Sequence, residues 1–364
     1  NIAVKVGGKN DPSETTGLAH YFEHLMFKGT PNFGTSDYEA EKVLLDQIED
    51  LFEVYRITED EAERAAIYHK IDSISYLASD YFIPNEYDKL MSFIGSEGTN
   101  AYTSTDMTVY VEQIPSNQIE NWARIQADRF ANPVIRGFHT ELETVYEEKN
   151  MSLTKDFRKA LEAMDGMLFP DHPYGTQTVL GTQEHLKNPS ITNIKNYQKT
   201  YYVPNNMAIC LSGDFDPDEM VAVIEKYFGQ MQPNKDLPEI TLATSSVIES
   251  PVEKDVYGLD AENIMIGWKY PGAKSEDALV AEVAASVLYN GSAGLIDLNI
   301  NQQQKVLGAY GMSYGRPDAG EFILMGNPKQ GQTLEEVRDI LLAEVAKLRN
   351  GEFDEAVLNG TINN

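Results

Sequence analysis

Apolar residues near the start of the chain alternate first with the period of a strand and then with that of a helix. Residues 1–6 have the strand pattern, and turn-forming residues follow at 7–12. The next segment is an amphipathic helix with candidate capping residues at Ser13-Glu14-Thr15-Thr16 and a glycine stop at Gly29. The chain is therefore predicted to open with a strand, a turn and a helix.

Strand and helix patterns continue to alternate over the next two hundred residues. β-branched and aromatic residues predict a strand over 98–111. Apolar-periodic segments predict helices over 121–130 and from 137 past 161. A further strand over 207–211 and a helix over 217–228 complete this part, which we interpret as one domain.

One segment of this domain, from about Asp37 to Tyr81, is helical in pattern but unusually rich in charge, as at 59–64. A helix that is polar on most of its faces has little surface to bury. We predict a solvated helical hairpin, inserted into the domain.

The composition changes near residue 232. Residues 232–254 contain three prolines among Ser, Thr and Glu, with one strand-like stretch around Glu239 to Leu242. Such a composition is typical of a domain boundary. We predict a first domain over 1–232, a linker over 233–255 and a second domain over 256–364.

The second domain repeats the opening plan of the first. Residues 263–268 form the predicted strand, Pro271-Gly272 the turn and Ser275 to Leu288 the helix, although this copy stops short. An internal duplication predicts an α+β fold of two similar units, each a mainly antiparallel sheet with helices on one face. The duplication suggests a clamshell-shaped protein, of which two such units would form one half.

The charge of the chain limits its partners. Aspartate and glutamate number 57 against 29 lysine and arginine, giving a formal charge of -28. This charge repels phosphate backbones, so nucleic acid is excluded as a partner. No apolar run reaches the length of a bilayer-spanning helix, so no transmembrane segment is predicted in these residues.

The cysteine content and the chain ends leave the compartment open. The single cysteine, Cys210, lies in an apolar stretch and is predicted to be a buried strand thiol. Because the chain begins within a strand and without methionine, we expect a fragment of a longer protein. A bacterial cytoplasm and a periplasm both remain compatible with it.

Three residues of the first helix have the spacing of a metal site. His20 and His24 are one turn apart on a helix, and Glu23 adjoins them. Two imidazoles at this spacing can bind one zinc ion, which needs a third protein ligand and keeps one position for water. The carboxylate of Glu23 can take the proton of a zinc-bound water. Two uncharged histidines packed among apolar neighbours would be a costly alternative.

Candidates for the third ligand lie on the helix that begins after residue 137. Glu141 and Glu148 are two turns apart and fall on one stripe, with Val145 between them. Such a pair fits one metal ligand and one carboxylate that orients another ligand. The same spacing is equally compatible with an ordinary acidic surface, and it does not say which glutamate would bind.

Four segments together resemble one known family. Residues 17–30, with the motif His20-Tyr21-Phe22-Glu23-His24, resemble the active-site helix of the pitrilysin family of zinc metallopeptidases, which includes insulysin and the mitochondrial processing peptidase. Asn100 to Ser104 is similar to the substrate-side strand of that family, and Glu141 to Glu148 to its Glu-x6-Glu segment. His172-Pro173-Tyr174-Gly175 also fits the pattern.

The resemblance implies a role for each candidate residue. His20, His24 and Glu148 would bind one zinc ion per chain, Glu23 would be the catalytic base and Glu141 the outer carboxylate. Asn100, Ala101, Tyr102 and Thr103 would bind the substrate. The separation between motif and third ligand exceeds the family's usual one by the length of the charged insert, which should leave the zinc site intact.

The resemblance also implies the function and the partners. The first domain would be the catalytic part of a zinc metalloendopeptidase acting on peptides or unfolded polypeptides. The second domain has no histidine at the position of the motif and would be a ligand-free copy. A second homologous half, from the same protein or a partner subunit, would close around the substrate. A non-catalytic scaffold or processing-partner subunit of the same family is the alternative.

Overall fold

The computed structural model describes residues 1–238 and 247–363, and these form two compact units. Within the described residues, the first unit comprises 1–152 and 177–238, and the second comprises 153–176 and 247–363. The strand-like stretch predicted around Glu239 to Leu242 lies outside the described residues.

Seven strands and fourteen α-helices make up most of the regular structure of the described residues, besides three short 3₁₀ helices and one π-helix. The strands are β1 (Ile2–Val4), β2 (Gly98–Thr103), β3 (Thr108–Gln113), β4 (Met207–Ile209), β5 (Ile264–Pro271), β6 (Gly308–Gly315) and β7 (Ala319–Asn327). The helices are α1 (Leu18–Leu25), α2 (Tyr38–Ile57), α3 (Glu61–Ser79), α4 (Glu86–Phe93), α5 (Ile119–Ala131), α6 (Phe138–Leu153), α7 (Asp156–Leu168), α8 (Pro173–Thr176), α9 (Gln183–Leu186), α10 (Ile191–Tyr201), α11 (Pro217–Phe228), α12 (Glu276–Leu288), α13 (Leu334–Asn350) and α14 (Glu355–Asn363).

The sheet of the first unit is antiparallel, with the strand order β2-β3-β1-β4. Alternate residues of a strand point to the same face. Ile2, Val4 and Tyr110 are fully buried and join the core together with Leu18 and Phe22 of α1. The sheet thus packs against α1. Strand β2 lies at one edge of the sheet formed by the described strands.

The second unit repeats this arrangement in its sheet, which has the order β5-β7-β6. In both units the opening strand pairs antiparallel with the second strand of a later hairpin: β1 with β3, and β5 with β7. Ser275 caps α12 through its side chain, in agreement with the predicted helix start. The predicted α+β class, with small antiparallel sheets, is confirmed.

One segment of the predicted first domain belongs to the second unit. Residues 153–176, which contain α7 and α8, pack with the second unit, where Arg316 Nη2 lies 2.9 Å from Asp165 Oδ1. The hydroxyl of Tyr174 also donates a hydrogen bond to Asp318 Oδ2 at 3.2 Å. A continuous first domain over 1–232 is therefore wrong in this respect, because these contacts bind the segment to the later half of the chain.

Three local predictions also differ from the structure. The strand predicted over 98–111 is a hairpin, because residues 104–107 form a turn between β2 and β3. The helix predicted to run from 137 past 161 ends at Leu153, and α7 begins only at Asp156. Cys210 is exposed rather than buried, since β4 ends one residue before it.

The charged segment predicted as a hairpin consists of α2 and α3, and it is less solvated than predicted. Phe52 and Ile71 have no exposed surface and belong to the core of the first unit. Glu41 is buried as well, with its Oε1 2.9 Å from Arg136 Nε. One side of the hairpin is therefore part of the domain core.

No helix in the described part of the chain has both the length and the apolar character needed to cross a membrane.

Candidate metal centre

The helix α1, which carries the histidine motif, is held at its start by a carboxylate from the preceding turn. Asp11 accepts hydrogen bonds from the backbone N–H groups of Gly17 (2.7 Å), Leu18 (3.1 Å) and Ala19 (2.9 Å). These are amides that an α-helix leaves without a partner at its first turn. Burial raises the pKa of Asp11 to about 8, although the three hydrogen bonds oppose this rise.

The capping residue is therefore not one of those that the sequence indicated at 13–16. Asp11 lies six residues before Gly17, outside the spacing at which local capping is recognised. Gly17 adopts a φ of 88°, which is the left-handed region that favours glycine. The turn that results brings Asp11 to the N-terminal end of the helix.

Two buried arginines hold the chain just beyond the end of α1. Arg129 donates a hydrogen bond from Nε to the carbonyl oxygen of Met26 at 2.9 Å. Arg136 donates to the carbonyl oxygens of Lys28 at 2.9 Å and Thr30 at 3.0 Å. Because a buried charge needs a partner, each arginine is paired with a buried carboxylate: Glu112 and Glu41, respectively.

Helix α6 brings a carboxylate to the two histidines. His20 Nε2 and His24 Nε2 are 3.3 Å apart, and each lies 3.6 Å from Glu148 Oε2. A tetrahedral zinc ion with bonds of about 2.0–2.2 Å requires its ligand atoms to be about 3.3–3.6 Å apart. The three atoms therefore fit a single zinc ion. Within the described residues this is the group of three whose donor atoms converge as a metal site requires.

Of the two histidines, His20 has the protonation state that metal binding requires. Burial and the charge of the neighbouring His24 together lower the pKa of His20 to about 4, so His20 is neutral at neutral pH. Burial also lowers the pKa of His24, but the hydrogen bond to Glu141 and the charge of Glu148 outweigh it and raise this pKa overall. A neutral imidazole offers the lone pair that a metal needs.

Glu141 lies behind the histidines. Its Oε1 is 2.7 Å from His24 Nδ1, and its Oε2 forms an ion pair with Lys28. Burial raises the pKa of Glu141, but the hydrogen bonds from His24 and Lys28 reverse this and lower it overall. A carboxylate in this position fixes the orientation of the ring of a metal ligand. The structure thus separates the two glutamates that the sequence spacing left equivalent.

Glu23 lies almost buried beside the three candidate ligands, with 7% of its surface exposed. Thr103 donates a hydrogen bond from Oγ1 to Glu23 Oε2 at 2.6 Å. Burial raises the pKa of Glu23, while the hydrogen bond from Thr103 and the charge of His24 act in the opposite direction. A carboxylate with a raised pKa is suited to proton transfer near neutral pH.

The four predicted substrate residues lie on β2, at the edge of the sheet formed by the described strands. Asn100 and Tyr102 are exposed, and Ala101 packs against the core. Thr103 differs from the other three because its side chain bonds to Glu23. The sequence did not indicate this bond, nor the roles of Asp11 and Lys28. The contact of Lys28 could have been inferred from its place one helical turn after His24.

Two family models match the chain. Residues 1–44 match the model described as "Insulinase (Peptidase family M16)", and residues 190–364 match "Peptidase M16 inactive domain". The first match contains the histidine motif, and the second covers β4, α11 and most of the second unit. Together the two models match more than half of the chain.

Curated proteins of the same family are similar over much of the chain. The zinc protease PqqE of Helicobacter pylori is 21% identical over 99% of this chain and 71% of its own length. The probable mitochondrial-processing peptidase subunit beta of Schizosaccharomyces pombe is 24% identical over 64% of this chain and 40% of its own length. The chain thus spans well under half of some relatives that it matches.

Solved structures share the fold. A protease from Helicobacter pylori has a TM-score of 0.73 at 20% identity, covering 99% of this chain and 76% of its own. Pitrilysin has a TM-score of 0.64 at 18% identity, covering 98% of this chain and 34% of its own. The family models, the curated relatives and this fold confirm the resemblance seen in the motifs, and the chain belongs to the M16 family of zinc proteases.

Proposed function

We propose that the first unit is the catalytic part of a zinc metalloendopeptidase that hydrolyses peptides or unfolded polypeptides. The convergence of His20, His24 and Glu148 at separations that suit zinc, with Glu23 beside them, supports this proposal most strongly. His20, His24 and Glu148 would hold one zinc ion, and Glu141 would orient His24.

The chemistry divides between the ion and the protein. Zinc, when bound, acidifies water and polarises the carbonyl group of the substrate. Glu23 takes a proton from the attacking water and delivers it to the nitrogen atom that leaves when the peptide bond breaks. Its burial keeps bulk water from competing for the proton, since 7% of its surface is exposed.

The substrate would bind as an extended strand along β2. Among the described strands, β2 pairs only with β3, so its outer edge offers backbone groups to a peptide. Backbone hydrogen bonds supply affinity in such an arrangement without demanding particular side chains. Asn100, Ala101, Tyr102 and Thr103 form this strand segment, so selectivity for peptide sequence is expected to be loose.

The second unit would be a ligand-free copy that takes no part in the chemistry. The family model that matches residues 190–364 describes an inactive domain. The chain spans 40% of one curated relative and 34% of pitrilysin. We therefore propose that a second homologous half, in the same polypeptide or in a partner subunit, completes the enzyme around the substrate.

Replacement of Glu23 by glutamine tests the proposal. In the full-length protein, E23Q should retain zinc, because the residue is not among the three ligands, but should lose peptide cleavage by about 10²-fold or more. Zinc content is measured by mass spectrometry and cleavage with an unfolded polypeptide. E147Q is the matched control, because Glu147 is exposed on α6 and should affect neither.

The outcomes separate the alternatives. Zinc retained with cleavage lost supports the peptidase. Unchanged cleavage by E23Q contradicts it. The third outcome is a parent protein that binds zinc or a peptidase subunit and whose residual cleavage does not depend on Glu23. That result would point to the non-catalytic scaffold or processing partner.

A further inference from the structure

The hydroxyl group of Thr103 lies 2.6 Å from the carboxylate of Glu23 and donates a hydrogen bond to it. We propose that Thr103 is a positioning residue for Glu23, fixing one carboxylate oxygen so that the other faces the attacking water. This inference rests on the proposed function of Glu23 as the catalytic base. It gives Thr103 a role different from that of its neighbours on β2, whose contribution is to bind the peptide.

The direction of this hydrogen bond follows from the neighbouring hydroxyl. Thr108 pairs with Thr103 across the hairpin, and it donates its own proton to the carbonyl oxygen of Val6 at 3.0 Å. The two threonine hydroxyls are 3.5 Å apart, at the limit of a hydrogen bond. Glu23 Oε2 is therefore the closest good acceptor for the proton of Thr103.

The side chain of Thr103 has little freedom to turn away. A β-branched residue is restricted in its first side-chain torsion. Thr103 is also the last residue of β2, where its backbone is held in register with Thr108. The turn that follows is closed by a hydrogen bond from Ser104 N to Met107 O at 2.8 Å. Both the backbone and the torsion thus aim the hydroxyl at Glu23.

This turn is attached to the loop that follows β1. The N–H groups of Gly8 and Lys9 donate to the carbonyl oxygens of Ser104 and Thr105, each at 3.0 Å. Gly7 makes the approach possible, because a Cβ atom there would lie 2.3 Å from the carbonyl oxygen of Ser104. The hairpin end and the loop therefore form one hydrogen-bonded piece.

The same loop also holds the helix that carries Glu23. Asp11, which lies at the end of this loop, binds the first amides of α1. One short segment, residues 7–11, thus fixes the position of both the hydroxyl donor on β2 and the base on α1. The hydroxyl of Thr103 and the carboxylate of Glu23 lie on two different elements. Their separation of 2.6 Å can persist during turnover because both elements share this support.

Removal of the hydroxyl tests the proposal in the full-length protein. Thr103→Val keeps the shape and the β-branch but cannot donate, and kcat should fall by about 10- to 100-fold, as expected for loss of a hydrogen bond to a charged group. KM should stay within about twofold and zinc content should be unchanged. Thr103→Ser restores a donor and should keep kcat within about threefold of the parent.

Each result bears on the inference. A Thr103→Val protein with the kcat of the parent, or a Thr103→Ser protein as slow as Thr103→Val, overturns it, and so does a rise in KM with kcat unchanged. Thr103→Ala, which adds no bulk, repeats the measurement if the valine variant does not fold. If E23Q is inactive while Thr103→Val is normal, the proposed function stands and only the role of Thr103 fails.

Discussion

His24 is held through both nitrogen atoms of its ring. Nε2 faces His20 and Glu148, whereas Nδ1 lies 2.7 Å from Glu141, which Lys28 also contacts. At the scale of single residues, the geometry of the candidate site thus depends on side chains that would not touch the metal. Glu141 is the clearest example.

Replacement of Glu141 by glutamine should weaken zinc binding by about 10- to 100-fold, the usual cost of losing an outer partner of a metal-binding histidine. Glutamine keeps the length of the side chain but loses the charge that Lys28 and His24 contact. Competition with a chelator measures the zinc dissociation constant. E147Q, on the exposed side of the same helix, is the control, and equal affinity of E141Q and E147Q would refute the role of Glu141.

The sequence predicted part of this arrangement. Two histidines four residues apart must share a helix face, so their proximity followed from the helix alone. Glu141 and Glu148 lie on one stripe of α6, and spacing along a helix cannot tell which of them meets α1. That choice depends on how two helices pack, as does the hydrogen bond from Thr103, which comes from a residue 80 positions away.

At the scale of the element, α1 depends on its capping aspartate. Asp11→Ala leaves three buried amides without an acceptor and should lower the free energy of unfolding by about 2–4 kcal/mol. Chemical denaturation in the presence of a chelator measures this loss separately from zinc binding. The reason for the size of the effect is burial, because Asp11 is 4% exposed.

A second capping aspartate provides the control for Asp11. Asp37 caps α2 in an exposed setting by accepting one hydrogen bond from the N–H group of Ala40. Asp37→Ala should cost about 1 kcal/mol, as for an ordinary helix cap. If the two variants lost the same stability, Asp11 would be no more than a common cap.

Elements were predicted best where the local pattern decides their structure. The helix over 217–228 and the start of α12 after Ser275 follow from proline and serine capping signals, and the structure has both. The break between α6 and α7 contains neither glycine nor proline, and it occurs where the chain passes to the second unit. Tertiary contacts, such as that of Asp165 with Arg316, determine such a break, and they leave no local pattern.

At the scale of the whole molecule, the described residues contain one candidate metal site and two units of related strand order. The second unit has the fold without the ligands, which agrees with the inactive-domain model that matches it. The duplication was visible in the sequence because a strand, a turn and a helix recur in the same order. The assignment of residues 153–176 to the second unit was not visible, because a helical pattern does not say which unit the helix packs against.

The isolated chain should bind zinc but cleave peptides poorly. Its three candidate ligands all lie in the first unit, whereas groups that hold the substrate in reactive geometry are expected partly from a second half. Loss of such positioning lowers kcat/KM by about 10²-fold in general. Comparison of the 364-residue chain with the full-length protein, at equal zinc content, tests this expectation. Equal kcat/KM values would show that the second half is dispensable.

The contact between Gly7 and the hairpin turn has a consequence for altering this protein by design. The turn at 104–107 looks like a convenient place to graft new residues, since it follows the proposed peptide-binding strand. It is nevertheless joined to the loop that leads to Asp11, and there is no room for even a methyl group at Gly7. Grafts in this turn would disturb the base before they changed peptide preference. Variation for selectivity is better directed at Asn100 and Tyr102, whose side chains are exposed.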